Sequence, residues 1–437
     1  MRFLPNPENA APISASRWLR LQLVLLGLVL LVNISFPVST LSQRLNDLFF
    51  WMRGHLPASS RVALVTIDDA TLARHGRWPW HRQELATLIN TVSRARPAAI
   101  GLDVLLSEPE DEQNDAALAA ALRNAGNVVL AEKISTSPGD RLWVDPLSRF
   151  LSAAKGAGHV QAIVDFDGLC RSIPIQEPSA DGLRPAFALK VAELVRPELR
   201  SVEGDAASPT PGVERVVARP LLIDFRQQFE PGQRATPFTV VSAGDLLEGK
   251  DSSQLRGKAV LIGFGGIEVS DRFMTPVSDQ LPMPGVEINA NIVDMLLEGR
   301  SLQRVSFPVQ LILLLAACSV SLWLVVRFPG ARGLLMLAGL LVAGYFASYF
   351  LFLHFHRLLS FGPLLTACIL AAPIAQLENI LLVDREVTSR LQQLRQTIGP
   401  GMPISKELRN EKQSRLSAGA LHWKLGALGD LQAELSS

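Results

Sequence analysis

Four aspartates and two tryptophans are the residues of this chain best suited to chemistry. In RVALVTIDDATLARHGRWPWHR, residues 61–82, a short apolar run ends in Asp68 and Asp69, and a Trp78-Pro79-Trp80 turn follows a few residues on. Asp103 occupies the later half of the run AAIGLDVL, and Asp271 opens DRFMTPVSD. Gathered at strand ends, these carboxylates could bind a divalent cation, an amine or a sugar hydroxyl. Pro79 fixes its own φ and biases Trp78 towards an extended backbone, so the indoles can be held to stack on a sugar or a flat ligand. Arg82 and Asn289 complete the ligand-binding candidates. The aspartates and tryptophans also have structural uses. Aspartate at a strand-to-helix junction often caps free helix N–H groups, and Asp69 before Ala70-Thr71-Leu72-Ala73 fits that role. The tryptophans could equally pack a core or a domain boundary.

Other patterns carry less. No G-x-S-x-G, H-E-x-x-H or Walker pattern is present, and no histidine is flanked like a phosphoacceptor, His422 in LHWK reading as a helix-surface residue. No catalytic residue, metal ligand or cofactor is therefore assigned. Gly263-Phe264-Gly265-Gly266 follows an apolar run but departs from the dinucleotide fingerprint. Glu287 and Asn291 share a helix face that solvent would suit as well as a ligand.

The elements that must position these residues alternate between strand and helix. Val62, Leu64, Val65 and Ile67 predict a buried strand with Asp68 and Asp69 at its carboxyl end, where ligands sit in open α/β sheets. Leu85, Leu88, Ile89 and Val92 predict a helix over 83–93, with Pro97 beyond its end. A strand over 98–105, an acidic loop over 108–115, a helix over 116–124 and a strand over 127–131 follow. A βαβαβ run with short links implies a mostly parallel sheet. Asp167-Gly168 marks a hairpin within 165–175, and 185–195 reads as helix, 203–212 as a surface loop and 221–225 as a strand. A short helix over 243–247, a strand over 259–264 and a helix over 285–297 complete the domain. LNDLFFWM, residues 45–52, suits an amphipathic helix just outside a membrane, or a core helix of the domain.

Composition places this domain on a membrane. Hydrophobic residues make up 48% of the 437, gathered in blocks, and mean hydropathy is +0.23. The net charge of +1 gives no reason to expect nucleic acid as a partner. Four uncharged stretches are long enough to cross a bilayer: an apolar run over 21–36, within a first span placed at 21–40, then 305–326, 333–353 and 358–377. Arg17 and Arg20, Arg327 and Arg332, and Arg385, Arg390 and Arg395 all fall on one side if the N-terminus is cytoplasmic, with Arg357 the single dissenter. The first span could instead be a cleaved signal peptide, although no A-x-A-like site follows it.

This topology puts residues 41–304 outside the cytoplasm, between a tail over 1–20 and a helical linker over 378–437. Cys318 and Cys368 lie within spans and Cys170 is alone outside them, so no disulfide is expected in the outer domain. In the linker, Val387, Leu391, Leu394 and Ile398 recur at coiled-coil spacing until Gly399-Pro400-Gly401 and Pro403 break the seam. A weaker seam of Leu421, Leu425, Leu428 and Leu435 follows.

VTIDDATLARHGRWPWHR, IGLDVLLSE with Asp115 after it, DFDGLCRSIPI, FTVVSAGDLLEG, KAVLIGFGG, DRFMTPVSD and MPGVEINANIVDMLLEG occur in that order. In this the stretch 45–304 resembles the type 2 CHASE domain, the cyclase- and histidine-kinase-associated sensory extracellular module. One span before the sensor and three after it also fit that family. The resemblance implies an extracytoplasmic sensor controlling a cytoplasmic histidine kinase, nucleotide cyclase or Ser/Thr kinase; it implies no ligand. Only about 60 residues follow the fourth span, against the 100–200 typical of a catalytic domain.

The expectation is therefore an α/β extracytoplasmic sensor domain with a mostly parallel sheet, four transmembrane helices and a short cytoplasmic coiled coil. It would form a homodimer in the inner membrane of a Gram-negative bacterium. A small-molecule or protein signal in the periplasm would shift the first and second spans relative to each other, and the motion would reach an output domain or partner protein. The alternatives are the front part of a sensor kinase or cyclase, and a membrane scaffold that binds a periplasmic protein or the cell wall.

Overall fold

The computed structural model describes residues 14–34, 36–137, 140–180, 182–199, 220–227, 236–266, 271–279, 281–328 and 330–398. The predicted loop over 203–212, the second seam at Leu421 to Leu435 and His422 lie outside them, as do the side chains of Val387, Leu391, Leu394 and Ile398.

In chain order, the helices α1 (Ala15–Ile34) and α2 (Phe36–Arg53) lead to β1 (Val62–Ile67), α3 (Asp69–His75), α4 (Arg82–Arg94) and β2 (Ala99–Leu102). Then come α5 (Glu112–Ala125), β3 (Val128–Ser137), β4 (Asp140–Val144), α6 (Ser148–Leu151), β5 (Gly156–His159), β6 (Ile163–Val164) and β7 (Cys170–Ile173). The hairpin β8 (Gln176–Ser179) and β9 (Gly182–Pro185) precedes α7 (Phe187–Val195), β10 (Leu221–Leu222), β11 (Thr239–Ser242), α8 (Ala243–Leu247) and β12 (Ala259–Phe264). A small pair, β13 (Arg272–Phe273) and β14 (Met283–Pro284), opens onto α9 (Gly285–Glu298) and β15 (Gln303–Arg304). Last come α10 (Phe307–Arg327), α11 (Ala331–Phe355), β16 (Arg357–Leu358) and α12 (Gly362–Ile398).

The main sheet runs in the order β11-β1-β12-β2-β3-β4, with β5 also on β3. All of its pairs are parallel except β3 with β4. Ala63, Val65 and Ile67 alternate towards one face, where they join Leu85, Leu88 and Ile89 of α4, Leu118 and Leu122 of α5, and Leu246 of α8 in one fully enclosed core. On the other face lie α7 and α9. From Gly285 to Leu297 every residue of α9 is buried, so this helix sees solvent on no side.

Several elements start or stop where local chemistry dictates. α5 begins at Glu112, within the stretch predicted as an acidic loop, because the Asp111 carboxylate accepts from Asn114 N–H at 2.8 Å and caps the helix. Glu112 and Asp115 then fall in its first turn, where the helix dipole favours negative charge. β2 ends at Leu102, so Asp103 sits just past the strand instead of inside it. The strand expected over 221–225 is reduced to Leu221–Leu222, paired with β7.

Two compact units result. One comprises the described residues within 40–306 and 347–360, the other those within 1–39, 307–346 and 361–437. In the second, Leu21, Leu25 and Val29 of α1 pack with Leu314, Cys318 and Leu322 of α10 and Ala367 and Ala371 of α12. Polar side chains also join these helices: Gln22 Nε2 donates to Ser319 Oγ at 2.6 Å, and Asn33 Nδ2 to Thr366 Oγ1 at 2.8 Å. Among the described residues three helices, α1, α10 and α11, are long and apolar enough to cross a membrane. The fourth apolar stretch starts later than expected and is shorter, its helical part running from Gly362 to Glu378. Arg357 and Leu358 are drawn instead into a parallel pairing with Gln303 and Arg304, and Arg357 thereby joins the α/β unit.

Within the α/β unit, one of the groups that fasten α2 is the Arg171 guanidinium. Arg171 on β7 donates through Nε and Nη2 to both oxygens of Asp47, at 2.9 and 2.6 Å. The same group reaches Asp165 at 2.7 Å and both oxygens of Asp167 at 2.8 and 2.7 Å. Asp165 and Asp167 belong to the predicted turn, which joins β6 to β7 as an antiparallel hairpin.

Candidate functional site

The carboxyl ends of β1, β12 and β2 lie side by side, and most of the chemistry read from the sequence falls along that edge. Asp68 follows β1 directly. Its Oδ1 accepts from Thr71 N–H at 2.7 Å and from Thr71 Oγ1 at 2.6 Å, so Asp68, not Asp69, caps α3. The cap ends a strand and starts a helix in one residue, which is why two consecutive aspartates have different fates. Asp69 is exposed and lies against Gly266, in the turn after β12, where a side chain would collide with its carboxylate.

Asp103 turns its carboxyl inward, towards α9. Its Oδ2 accepts from Asn289 Nδ2 of α9 at 2.9 Å. Gly263 makes the approach possible, since a Cβ there would fall 2.8 Å from Val286 and 3.2 Å from Asp103. The residue is only half-buried, but its carboxyl lies inside, and burial pushes its pKa up to about 7. The neighbouring Asp271 carboxylate raises it further, and the Asn289 hydrogen bond partly offsets both.

Asp271 is exposed as a residue, yet its carboxylate packs against Gly285 in the first turn of α9. Its carbonyl oxygen accepts from Gly285 N–H at 3.0 Å. Burial raises the Asp271 carboxyl, partly offset by the Lys133 ammonium. The turn beneath is held by Arg272, which sequence reasoning missed. Its Nη2 donates to the carbonyls of Gly265 and Gly266 at 2.9 and 2.7 Å, and its Nη1 donates to that of Pro282 at 2.8 Å. The signal was its place beside Asp271 in DRFMTPVSD.

Trp78 packs edge-on to Phe264, the last residue of β12, with ring centroids 4.5 Å apart. Trp80 is buried and donates its indole N–H to the Gly76 carbonyl at 3.0 Å. Its ring is thus committed to the core. Arg82 is directed elsewhere: its Nη2 meets the Glu108 carbonyl at 3.3 Å and its N–H the Glu110 carboxylate at 2.8 Å. Glu287 and Asn291 are not on a solvated face. Both are buried, and Asn291 Nδ2 donates to the Glu287 carbonyl at 2.8 Å.

The fold thus brings Asp103, Asp271 and Asn289 together, sets Asp69 and Trp78 along the same edge, and gives Asp68, Trp80 and Arg82 structural work. A carboxyl with a pKa near 7 beside a second carboxyl can donate or accept a hydrogen bond at neutral pH, which suits an amine or a hydroxyl-rich ligand. Among the described residues no cluster of three or more His, Cys, Asp or Glu is placed to hold a metal ion. Residues 23–326 match the family model of the CHASE2 domain. No curated protein and no solved structure matches the chain.

Proposed function

Because the chain belongs to the CHASE2 domain family, we propose that it is a transmembrane signal receptor of a bacterial inner membrane. Domain 41–304 lies on the periplasmic side and senses a small polar signal at Asp103, Asp271 and Asn289. The apolar part of α12 serves as a fourth span, with both termini cytoplasmic, as the arginine clusters favour. Beyond it α12 leads to an output domain or partner protein, and the 387–398 seam pairs two copies.

One observation carries this reading. The residues beside the spans, 40–53 and 347–360, belong to the same compact unit as the candidate site, so a change in the domain is a change in what holds the helix ends. A ligand would act by favouring one of two packings of that unit. The experiment is a thermal-shift screen of the purified full chain in micelles against amines, amino acids and sugars. A saturable stabilisation that Asp103→Asn abolishes, while that variant still melts cooperatively, supports the site. Stabilisation untouched by Asp103→Asn and Asn289→Ala places the ligand elsewhere.

A further inference from the structure

Helix α9 carries the candidate site at one end and a buried ionic joint at the other. We infer that α9 and the Arg226–Asp224–Arg53 joint form the route by which a change at Asp103 and Asp271 reaches the helices that flank the membrane spans. The inference rests on the proposed sensing role and adds its route.

The route is continuous through named contacts. Asn289 holds Asp103 at 2.9 Å. One half-turn on, Asn291 Oδ1 accepts from Arg226 N–H at 2.7 Å. Asp294 Oδ2 then accepts from Arg226 Nε at 2.5 Å, and Glu298 Oε2 from Arg226 Nη2 at 2.6 Å. The Arg226 and Asp294 side chains are 1% and 0% exposed. Neither can exchange its partner for water, so the segment 223–227 must follow α9. That segment in turn grips α2. Arg53 donates through Nη1 to Asp224 Oδ1 at 2.5 Å and through Nη2 to the Phe225 carbonyl at 2.6 Å.

The Arg53 guanidinium also lies 5.1 Å from the ring centroids of both Phe50 and Phe352. Phe352 belongs to the last turns of α11, and its ring meets Phe50 at 5.2 Å and Phe49 at 5.7 Å. One side chain therefore ties together the helix that follows candidate span α1, the end of candidate span α11 and the segment pinned to α9. The joint is also under-bonded. Asp224 Oδ2, Arg53 Nε and both polar atoms of the Gln227 amide are buried with no partner among the described residues.

The test uses the full chain in lipid nanodiscs and needs no ligand. Asp103→Lys serves as the input, with Asp103→Asn as a milder second input should the lysine variant fold poorly, and hydrogen exchange is read along α9, α2 and residues 347–355. The expected result is a change of tenfold or more at the start of α9 and also at residues 45–53 and 347–355. Adding Asp224→Asn, which keeps the Phe225 and ring contacts of Arg53, or Arg53→Met should erase the distant change and leave the one at α9. A distant change that survives both variants, or none at all while the start of α9 responds, overturns the route. Because no ligand enters, failure here leaves the sensing role to be judged by the binding screen alone.

Discussion

Asn289 Nδ2 donates to Asp103 Oδ2 at 2.9 Å, joining a helix buried on every side to the end of a central strand. The bond is compatible with either protonation state of Asp103, and the Asp271 carboxylate nearby makes the protonated one easier to keep. The folded carboxyl has a pKa of about 7 against an ordinary 3.8. The native state thus binds this proton more tightly than the unfolded chain does, and the stability it contributes is full below about pH 4 and lost as pH rises through 7. Asp103→Asn should remove that slope. Chemical denaturation of the full chain from pH 4.5 to 7.5 should show wild type losing about 1–2 kcal/mol relative to the variant, allowing for partial solvent screening. Parallel curves would mean that Asp103 ionises freely.

Trp78 and Trp80 should separate in stability. Trp80 is 5% exposed and belongs to the main core, so Trp80→Ala should cost about 3–5 kcal/mol. Trp78 is half-buried and rests on Phe264, so Trp78→Ala should cost about 1–2 kcal/mol. Equal losses in urea melts would show that the two indoles act as one cluster.

Arg171 should be among the costliest charges to remove. Arg171→Met leaves Asp47, Asp165 and Asp167 facing one another without their shared cation, an expected loss of about 3–5 kcal/mol. The Arg171 hydrogen bonds hold the Asp167 carboxyl below its usual range, whereas burial leaves that of Asp47 above it. Acidification should therefore break the Asp167 side of the cluster last. Asp165→Asn, which leaves Asp47 and Asp167 on the arginine, should cost no more than about 1 kcal/mol. A loss as large as that of Arg171→Met would mean that the cluster fails as a unit.

Gly158 on β5 should not tolerate alanine. A Cβ there would lie 2.7 Å from the backbone N and Cα of Phe187, atoms that cannot rotate away. Gly158→Ala should force β5 and α7 apart and lower the melting temperature by roughly 5–10 °C, given typical overpacking costs. Gly156→Ala, two residues back with open space around it, is the control and should be near neutral.

The local elements were largely legible. β12 falls where the sequence placed it because it is an apolar run between Lys258 and Gly265, and α8 because Ala243, Leu246 and Leu247 sit between Ser242 and Glu248. α5 was cut short because acids look like loop until one of them is seen to be a cap. What the sequence hid is whatever depends on partners far away in the chain. Glu287 and Asn291 read as a face that solvent would suit as well as a ligand, because periodicity alone does not show what covers a polar pair; the segment holding Arg226, which covers α9 and uses Asn291, lies 65 residues upstream. Asp47 gave no sign of Arg171, 124 positions on. At the site, the aspartates were visible as strand-end acids, but which would cap, which would pair with Asn289 and which would stay exposed depended on where each strand stopped.

The position of β1 bears on how the protein is made. Both of its neighbours, β11 and β12, come from about 175–200 residues later in the chain. A strand in the middle of the sheet is thus among the first to be synthesised and must wait, bare on both edges, until nearly the whole domain has appeared. Pairings that span such distances fold slowly and leave sticky strands exposed in the meantime. The sheet around β1 cannot close until those late strands emerge, so a holding chaperone should raise the yield of the domain.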